Sequence, residues 1–479
     1  METASFRFLG FALVAAIVYN LFGSLRWRQA ILLIANACFL YTFVGNVQSI
    51  LPFLAFVAVG YVAARAMQGK AKTWIYVVLL LLVTGSFIWL KKYAFVPSGT
   101  FLQFAYVTVG LSYILFRVLH LMIDAHANAL RERIGLVSYL NYTVSFLTLV
   151  SGPIQRYEDF QKTGNALVLP RPSVIAIGEG LHRVVVGFFK VAVLSLLFSR
   201  LHKHALEVLS SGQAPLHRAL TGAVIAVSYA LYLYLNFSGC IDVVIGLGRF
   251  FGFTLPENFD RPLSSDNFMN FWNRWHITLS NWLKVYVFNP LLLSSMRRVS
   301  SRFWQRFLAV PAIFITFFLA GVWHGQTSQF LFFGFLQGFG VAANLLYQIL
   351  VQKTIGRRRY STLASNSVYV AYCRGLTFTW FAFTLLWFWS SWSQIKGIVM
   401  ILGSPGSFLA LLAIFLGGTL LLSIFDTVRN WALAVRWKNS SVLLSPYTLT
   451  VADTVLALAS FVVVILLHHP APAGLYKAF

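Results

Sequence analysis

The sequence predicts an all-α polytopic membrane protein with about eleven transmembrane helices, and with interfacial or re-entrant helices between some of them. Hydrophobic residues make up 58% of its 479 positions and charged residues only 10%, against about 25% charged in soluble domains. Apolar windows of roughly 17–25 residues, the length a spanning helix needs, recur along almost the whole chain. The short alternating strands of a transmembrane barrel are not seen. The chain reads as one integral membrane domain over residues 1–479, with N-terminal spans in 1–100, a polar-bearing core in 101–346 and C-terminal spans in 347–479.

The first apolar run, Phe6 to Phe22, lacks a basic leader and a small-residue cleavage site, so it is expected to be a retained helix. Lys and Arg total 37 against 13 Asp and Glu, a net charge of +24. In a soluble protein this would point to nucleic acid. Here the cations gather in short loops beside apolar helices, which is the orientation signal of a membrane protein, and no nucleic-acid partner is expected. Arg26 and Arg28 follow the first span, Arg65, Lys70 and Lys72 the third, and Arg131 and Arg133 the fifth. These loops share one parity, which puts them in the cytoplasm and the N-terminus outside. Lys91 and Lys92, after the fourth span, break the pattern.

Further along, Arg117, His120 and Asp124 recur at i, i+3 and i+7 in an apolar segment and share one helical face. Such a face is either an interhelical cluster or the lining of a cavity. Residues 152–172 form a polar interruption, and Ser173 to Leu201 reads as a membrane-entry helix followed by a span. His202, Lys203, His204 and His217 are expected in or beside an exposed loop. Beyond Tyr360 plain spans return, at about Val368–Trp392, Ile395–Phe425 and Thr450–Leu467, after a basic loop carrying Lys353, Arg357, Arg358 and Arg359. Cys38, Cys240 and Cys373 are scattered, with neither metal-site nor disulfide spacing, so no metal is expected.

Chemistry concentrates in the centre. An apolar run containing Asp242 is interrupted by Gly239, Gly246, Gly248 and Gly252, and reads as a broken helix lining protein or a cavity. Next, Phe268, Phe271, Trp272, Trp275, Leu279, Trp282 and Leu283 recur at i, i+3, i+4 spacing, predicting one amphipathic interfacial helix with His276 on its apolar edge. A second histidine, His324 in Gly321-Val322-Trp323-His324-Gly325, falls between two apolar runs, where a titratable group is costly and marks a candidate functional site. A neutral imidazole in a low-dielectric site can act as general base toward a hydroxyl attacking an acyl carbon. Acyl transfer from a thioester needs little more than that base, a polarising donor and exclusion of water. A transporter or channel would also carry midplane polar residues and broken helices, but the two related halves common in such proteins are not visible.

The stretches FSGCIDVVIGLGRFFGFTLPENFDRP, FMNFWNRWHITLSNWL and GVWHG resemble the membrane-bound O-acyltransferase family, in its bacterial branch of alginate O-acetyltransferase and teichoic-acid D-alanyl transferase. GPIQRYEDF (152–160) and GLSYILFRVLHLMID (110–124) fit the same branch. The resemblance implies that His324 is the characteristic catalytic histidine and His276 the second signature histidine. It implies that Asn273, Arg274 and Asp242, with Trp323 and Trp275 beside the histidines, shape a substrate site. It further implies a ring of helices around a thinned core with a funnel on each side. By the same resemblance, a cytoplasmic acyl thioester, acetyl-CoA or a charged acyl or D-alanyl carrier protein, is the expected co-substrate, without a bound cofactor. The expected acceptor is an extracytoplasmic polysaccharide or glycopolymer hydroxyl, the expected location the bacterial inner membrane, and a periplasmic acyltransferase an expected further partner. Expected alternatives are D-alanyl transfer and a non-catalytic acyl-relay or transporter subunit. Where many relatives carry an Arg-Asp pair and a glycine-rich turn, this chain has Lys284-Val285 and Leu291 to Ser295, so acceptor recognition is not carried over.

Overall fold

The computed structural model describes residues 4–69, 72–130, 132–164, 172–211, 214–438 and 446–467. Lys70, Arg131 and residues 165–171 of the polar interruption lie outside them. Among the described residues the regular structure is helical, with one isolated antiparallel bridge. Among the described residues seven helices are long and apolar enough to cross a membrane: Val47–Met67, Thr73–Leu90, Val174–Leu209, Pro215–Phe250, Phe303–Trp323, Ser328–Ile355 and Trp392–Trp431. This is fewer than the sequence-based eleven. Phe6–Leu21 and Thr450–Leu466 are shorter apolar helices, Leu111–His126 has 16 residues, and the Val368–Trp392 run is divided into Ser367–Thr384 and Leu386–Trp389.

The described contacts fall into two compact units. The first comprises Met1–Ala192, Asn236–Glu257 and Ser460–Phe479. Its helix starts follow from local chemistry. Ser5 and Ser24 accept from the backbone N–H groups of Phe8 and Trp27, and Asn46 and Ser49 cap each other reciprocally. The glycines do not break the helix that carries Asp242. Pro215–Phe250 is continuous, and in this unit the glycines mark where another backbone comes close. A methyl added at Gly239 would lie 2.7 Å from the Gly187 carbonyl oxygen, and one at Gly246 would lie 2.6 Å from that of Gly180. Small residues of this kind let membrane helices pack backbone to backbone.

The Arg117 face is an interhelical cluster. Arg117 is 1% exposed and donates to the carbonyls of Tyr142, Thr143 and Thr148 and to the Thr148 hydroxyl at 2.7–3.0 Å. His120 accepts from the Tyr157 backbone N–H at 3.1 Å. Several supposed loop cations are tied down as well. Arg28 is buried, with its guanidinium over the Tyr19 ring. Lys91 is 4% exposed, and burial lowers its amine to about 8. Lys92 lies over the Tyr106 ring at 5.1 Å. The lysines that broke the charge pattern are held against the protein, where they make poor orientation signals.

The second unit comprises Val193–Leu235 and Asn258–Ala459. His202, expected in an exposed loop, lies in the Leu196–Leu209 helix and is buried. Its Nδ1 donates to the Ile225 carbonyl at 3.0 Å and its ring meets Trp389 edge-on. A buried imidazole settles there because a carbonyl is at hand to receive its N–H. Arg357–Ala364 is a helix with its arginines exposed, not a loop. Ala309–Trp323 and Ser328–Ile355 pack closely, since a methyl on Gly321 would stand 2.1 Å from Gly334 Cα. Gln337 donates to Thr384 Oγ1 at 2.9 Å. Arg374 pairs with Asp426 at 2.6 Å and donates to the Ser264 carbonyl, joining the Ser367–Thr384 helix to two neighbouring segments.

Candidate active site

The single amphipathic helix expected around His276 is two helices, Phe268–Arg274 and Ile277–Leu283, separated by a break at Trp275 and His276. Asn267 starts the first by accepting from the Asn270 N–H at 2.8 Å. At the break the chain bonds to an extended segment instead of to itself. Asp260 N–H donates to the Arg274 carbonyl, Ile277 N–H to the Asn258 carbonyl, both at 3.0 Å, and Phe259 bridges Trp275. The break leaves His276 with a left-handed backbone, φ 45° and ψ 52°. Outside glycine this region is uncommon, and it is found where surrounding structure over-determines it, often at functional sites. His276 is turned fully inward, with 0% exposure.

His324 caps the C-terminal end of the Ala309–Trp323 helix and is 4% exposed. Aromatic edges and faces surround it: Trp323 at 4.9 Å, Phe388 at 5.3 Å and Phe333 at 6.0 Å between ring centroids. The Trp323 ring also stands 6.4 Å from that of His276. The two histidines thus share Trp323, and His324 contributes to the electrostatic environment of His276. Both lie outside the seven span-length helices. Burial pushes the His276 imidazole well below its ordinary range, with His324 a smaller cause, and burial alone pushes His324 down. Protonation would place a charge in an apolar surround, so each ring is held neutral and able to take a proton.

The Nδ1 of His276 faces the side-chain oxygen of Asn258 at 3.2 Å, and the same oxygen accepts from Thr278 N–H at 3.0 Å and Thr278 Oγ1 at 2.9 Å. Trp275 is buried, stacked on Phe271 and packed against Phe381 and Phe259. Asn273 is exposed and Arg274 half-buried, so neither belongs to the enclosed pair. Asp242 belongs to the first unit, where Arg183 and Lys190 engage it at 2.9 and 2.7 Å. Lys190 opens a π-helical turn, Lys190–Ser195, that interrupts the entry helix beside it. A cavity of about 510 Å³ lies beyond Phe268, lined by Phe339, Tyr347, Tyr369, Cys373 and Trp380 among others, with neither histidine in its wall. No three His, Cys, Asp or Glu side chains among the described residues converge to hold a metal ion.

Two buried imidazoles, one at a helix end and one at a left-handed break, thus flank the Trp323 ring. The model of the membrane-bound O-acyltransferase family matches residues 56–394, a stretch that contains both. The chain belongs to that family. Among curated relatives of this chain, a teichoic acid D-alanyltransferase of Bacillus subtilis is 29% identical over 47% of this chain and 56% of its own. A probable alginate O-acetylase, AlgI, of Pseudomonas aeruginosa is 30% identical over 49% of this chain and 42% of its own. A teichoic acid D-alanyltransferase of Streptococcus thermophilus is 27% identical over 52% and 60%. The chain spans about half the length of these relatives. Asn258, which sequence reasoning passed over, had one signal: it stands in the ENF of the matched stretch, at a position whose partner lies 18 residues on.

Proposed function

We propose that this protein is an inner-membrane O-acyltransferase that moves an acyl group, most simply acetyl, from a cytoplasmic thioester to a hydroxyl of an extracytoplasmic polysaccharide or glycopolymer. One observation carries the reading: two buried imidazoles share Trp323 in an apolar surround. Such a pair suits a reaction in which one group takes the proton of the attacking hydroxyl and the other attends the acyl carbonyl, with water kept away. His324 and His276 are the catalytic groups. Trp323 and Trp275 wall the site, while Asn273 and Arg274 shape its approaches. The chain works as one membrane domain with the N-terminus outside, and it draws its acyl group from acetyl-CoA or from a charged carrier protein. A periplasmic acyltransferase is a further partner in this reading.

D-alanyl transfer is the second reading, favoured by Asn273 in the FWNRWH stretch and by D-alanyltransferases among the relatives. Purified protein incubated in parallel with labelled acetyl-CoA and with a D-alanyl-charged carrier protein separates the two. The acetyl reading expects label transfer from the first alone. Loss of cell-surface acylation in a stably expressed His324→Ala strain supports catalysis by this chain, and persistence would refute it in favour of a relay or transport subunit.

A further inference from the structure

We propose that Asn258 is a positioning residue that fixes His276 with Nδ1 protonated, so that His276 meets its substrate through the Nε2 lone pair as a hydrogen-bond acceptor for a hydroxyl. The orientation of an asparagine amide is ordinarily ambiguous, because its oxygen and nitrogen look alike. Here a backbone group removes the ambiguity. One atom of the Asn258 amide receives three neighbours: Thr278 N at 3.0 Å, Thr278 Oγ1 at 2.9 Å and His276 Nδ1 at 3.2 Å. A backbone N–H can only donate, so that atom is the oxygen. An amide oxygen can only accept, so His276 Nδ1 carries hydrogen. A neutral imidazole has a single N–H, which leaves the lone pair on Nε2.

The arrangement is anchored on both sides. The Asn258 carbonyl accepts from Ile277 N–H, and the His276 carbonyl accepts from Ser280 N–H, each at 3.0 Å. Asn258 and His276 are both 0% exposed. The left-handed backbone of His276 further limits how the ring can be presented. Burial keeps the ring neutral, so the tautomer decides what it offers. An imidazole of this form has no N–H at Nε2 and cannot donate to an acyl carbonyl there. The group that polarises the carbonyl is then another one, with His324 the candidate across the Trp323 ring, and the accepting role falls to His276. This division rests on the proposed acyl transfer; the tautomer does not.

The test uses the full-length protein in lipid nanodiscs with ¹⁵N-labelled histidine, the His276 signals being identified by difference against His276→Gln. The expected spectrum has a pyrrole-type Nδ1 and a pyridine-type Nε2. A pyrrole-type Nε2 overturns the proposal whatever the activity. Asn258→Ala is expected to scramble the tautomer and to lower acyl transfer roughly 10–100-fold, as loss of a histidine's orienting partner commonly does. An unchanged tautomer in Asn258→Ala overturns it. Asn258→Asp keeps an acceptor for both N–H groups and sacrifices no bond, since Asn258 Nδ2 has no hydrogen-bond partner among the described residues. It is expected to retain the protonated Nδ1, and loss of that signal in a folded protein would also refute the assignment. If the tautomer is as expected but no donor supports transfer, acyl transfer fails as the function and the Asn258 anchor stands.

Discussion

Burial leaves His276 and His324, the proposed catalytic pair, each able to accept a proton and unable to keep one cheaply. Removing a donor that polarises the acyl carbonyl commonly costs about 10²–10³ in rate. His324→Ala is therefore expected to lower transfer by at least ~100-fold in a labelled-donor assay, with the amount of folded protein unchanged. The direction of the shifts also sets a pH profile. A free imidazole loses its base form as pH falls through about 6.5, whereas groups pushed below that value remain unprotonated. Initial rates should hold from pH 7.5 down to about 5.5, and a half-maximal point near 6.5 would contradict the buried site. Lys91 supplies a separate test, on stability. Its folded-state amine titrates at about 8, below the unfolded value, so under about pH 8 both states are charged and the fold bears the full cost of burying that charge. Between pH 8 and the unfolded value of about 10.4 the folded amine is already neutral and the cost fades. Lys91→Met should stabilise the protein by roughly 2–3 kcal/mol at pH 7, by thermal unfolding in detergent, and the gain should shrink toward pH 10.

At the scale of elements, helices are placed by where backbones touch. Gly321→Leu is expected to unfold or loosen the pairing of Ala309–Trp323 with Ser328–Ile355, since even a methyl there would overlap Gly334. The thermal midpoint should drop well beyond what an exposed change such as Gly10→Leu produces, Gly10 having open space around it. Much of this scale was legible in the sequence. The apolar windows gave the long helices, and the aromatic spacing correctly turned His276 inward. The break at His276 was not legible, because Phe268, Phe271, Trp272, Trp275 and Leu279 keep helical spacing straight across it. Only the pairing of Asn258 and Asp260 with Ile277 and Arg274, distant in sequence, replaces the helical hydrogen bonds. Gly239 and Gly246 misled for a related reason. Glycine lowers helix propensity locally, but the gain that retains it comes from a neighbouring helix no local pattern names.

For the whole molecule, a net charge of +24 overstates the cations left to meet a partner, since Arg28, Arg117 and Lys91 are buried and Arg183, Lys190 and Arg374 are paired. A donor carrying phosphate or an acidic carrier would have to find the exposed remainder, such as Arg357, Arg358 and Arg359. Reversing these three to Glu should weaken use of an acidic carrier several-fold while leaving the folded protein intact, read as KM for the carrier against unchanged thermal stability. The paired glycines of the first unit also have a bearing on how assembly can go wrong. Gly180 meets Gly246 and Gly187 meets Gly239, so the same seven-residue interval is written on both helices in opposite directions. Displacing one helix by a turn would press a side chain such as Val184 into a gap sized for hydrogen. The two helices therefore have a single setting. In that setting Asp242 comes between Arg183 and Lys190, so the meeting of these charges depends on the glycine spacing of the two helices.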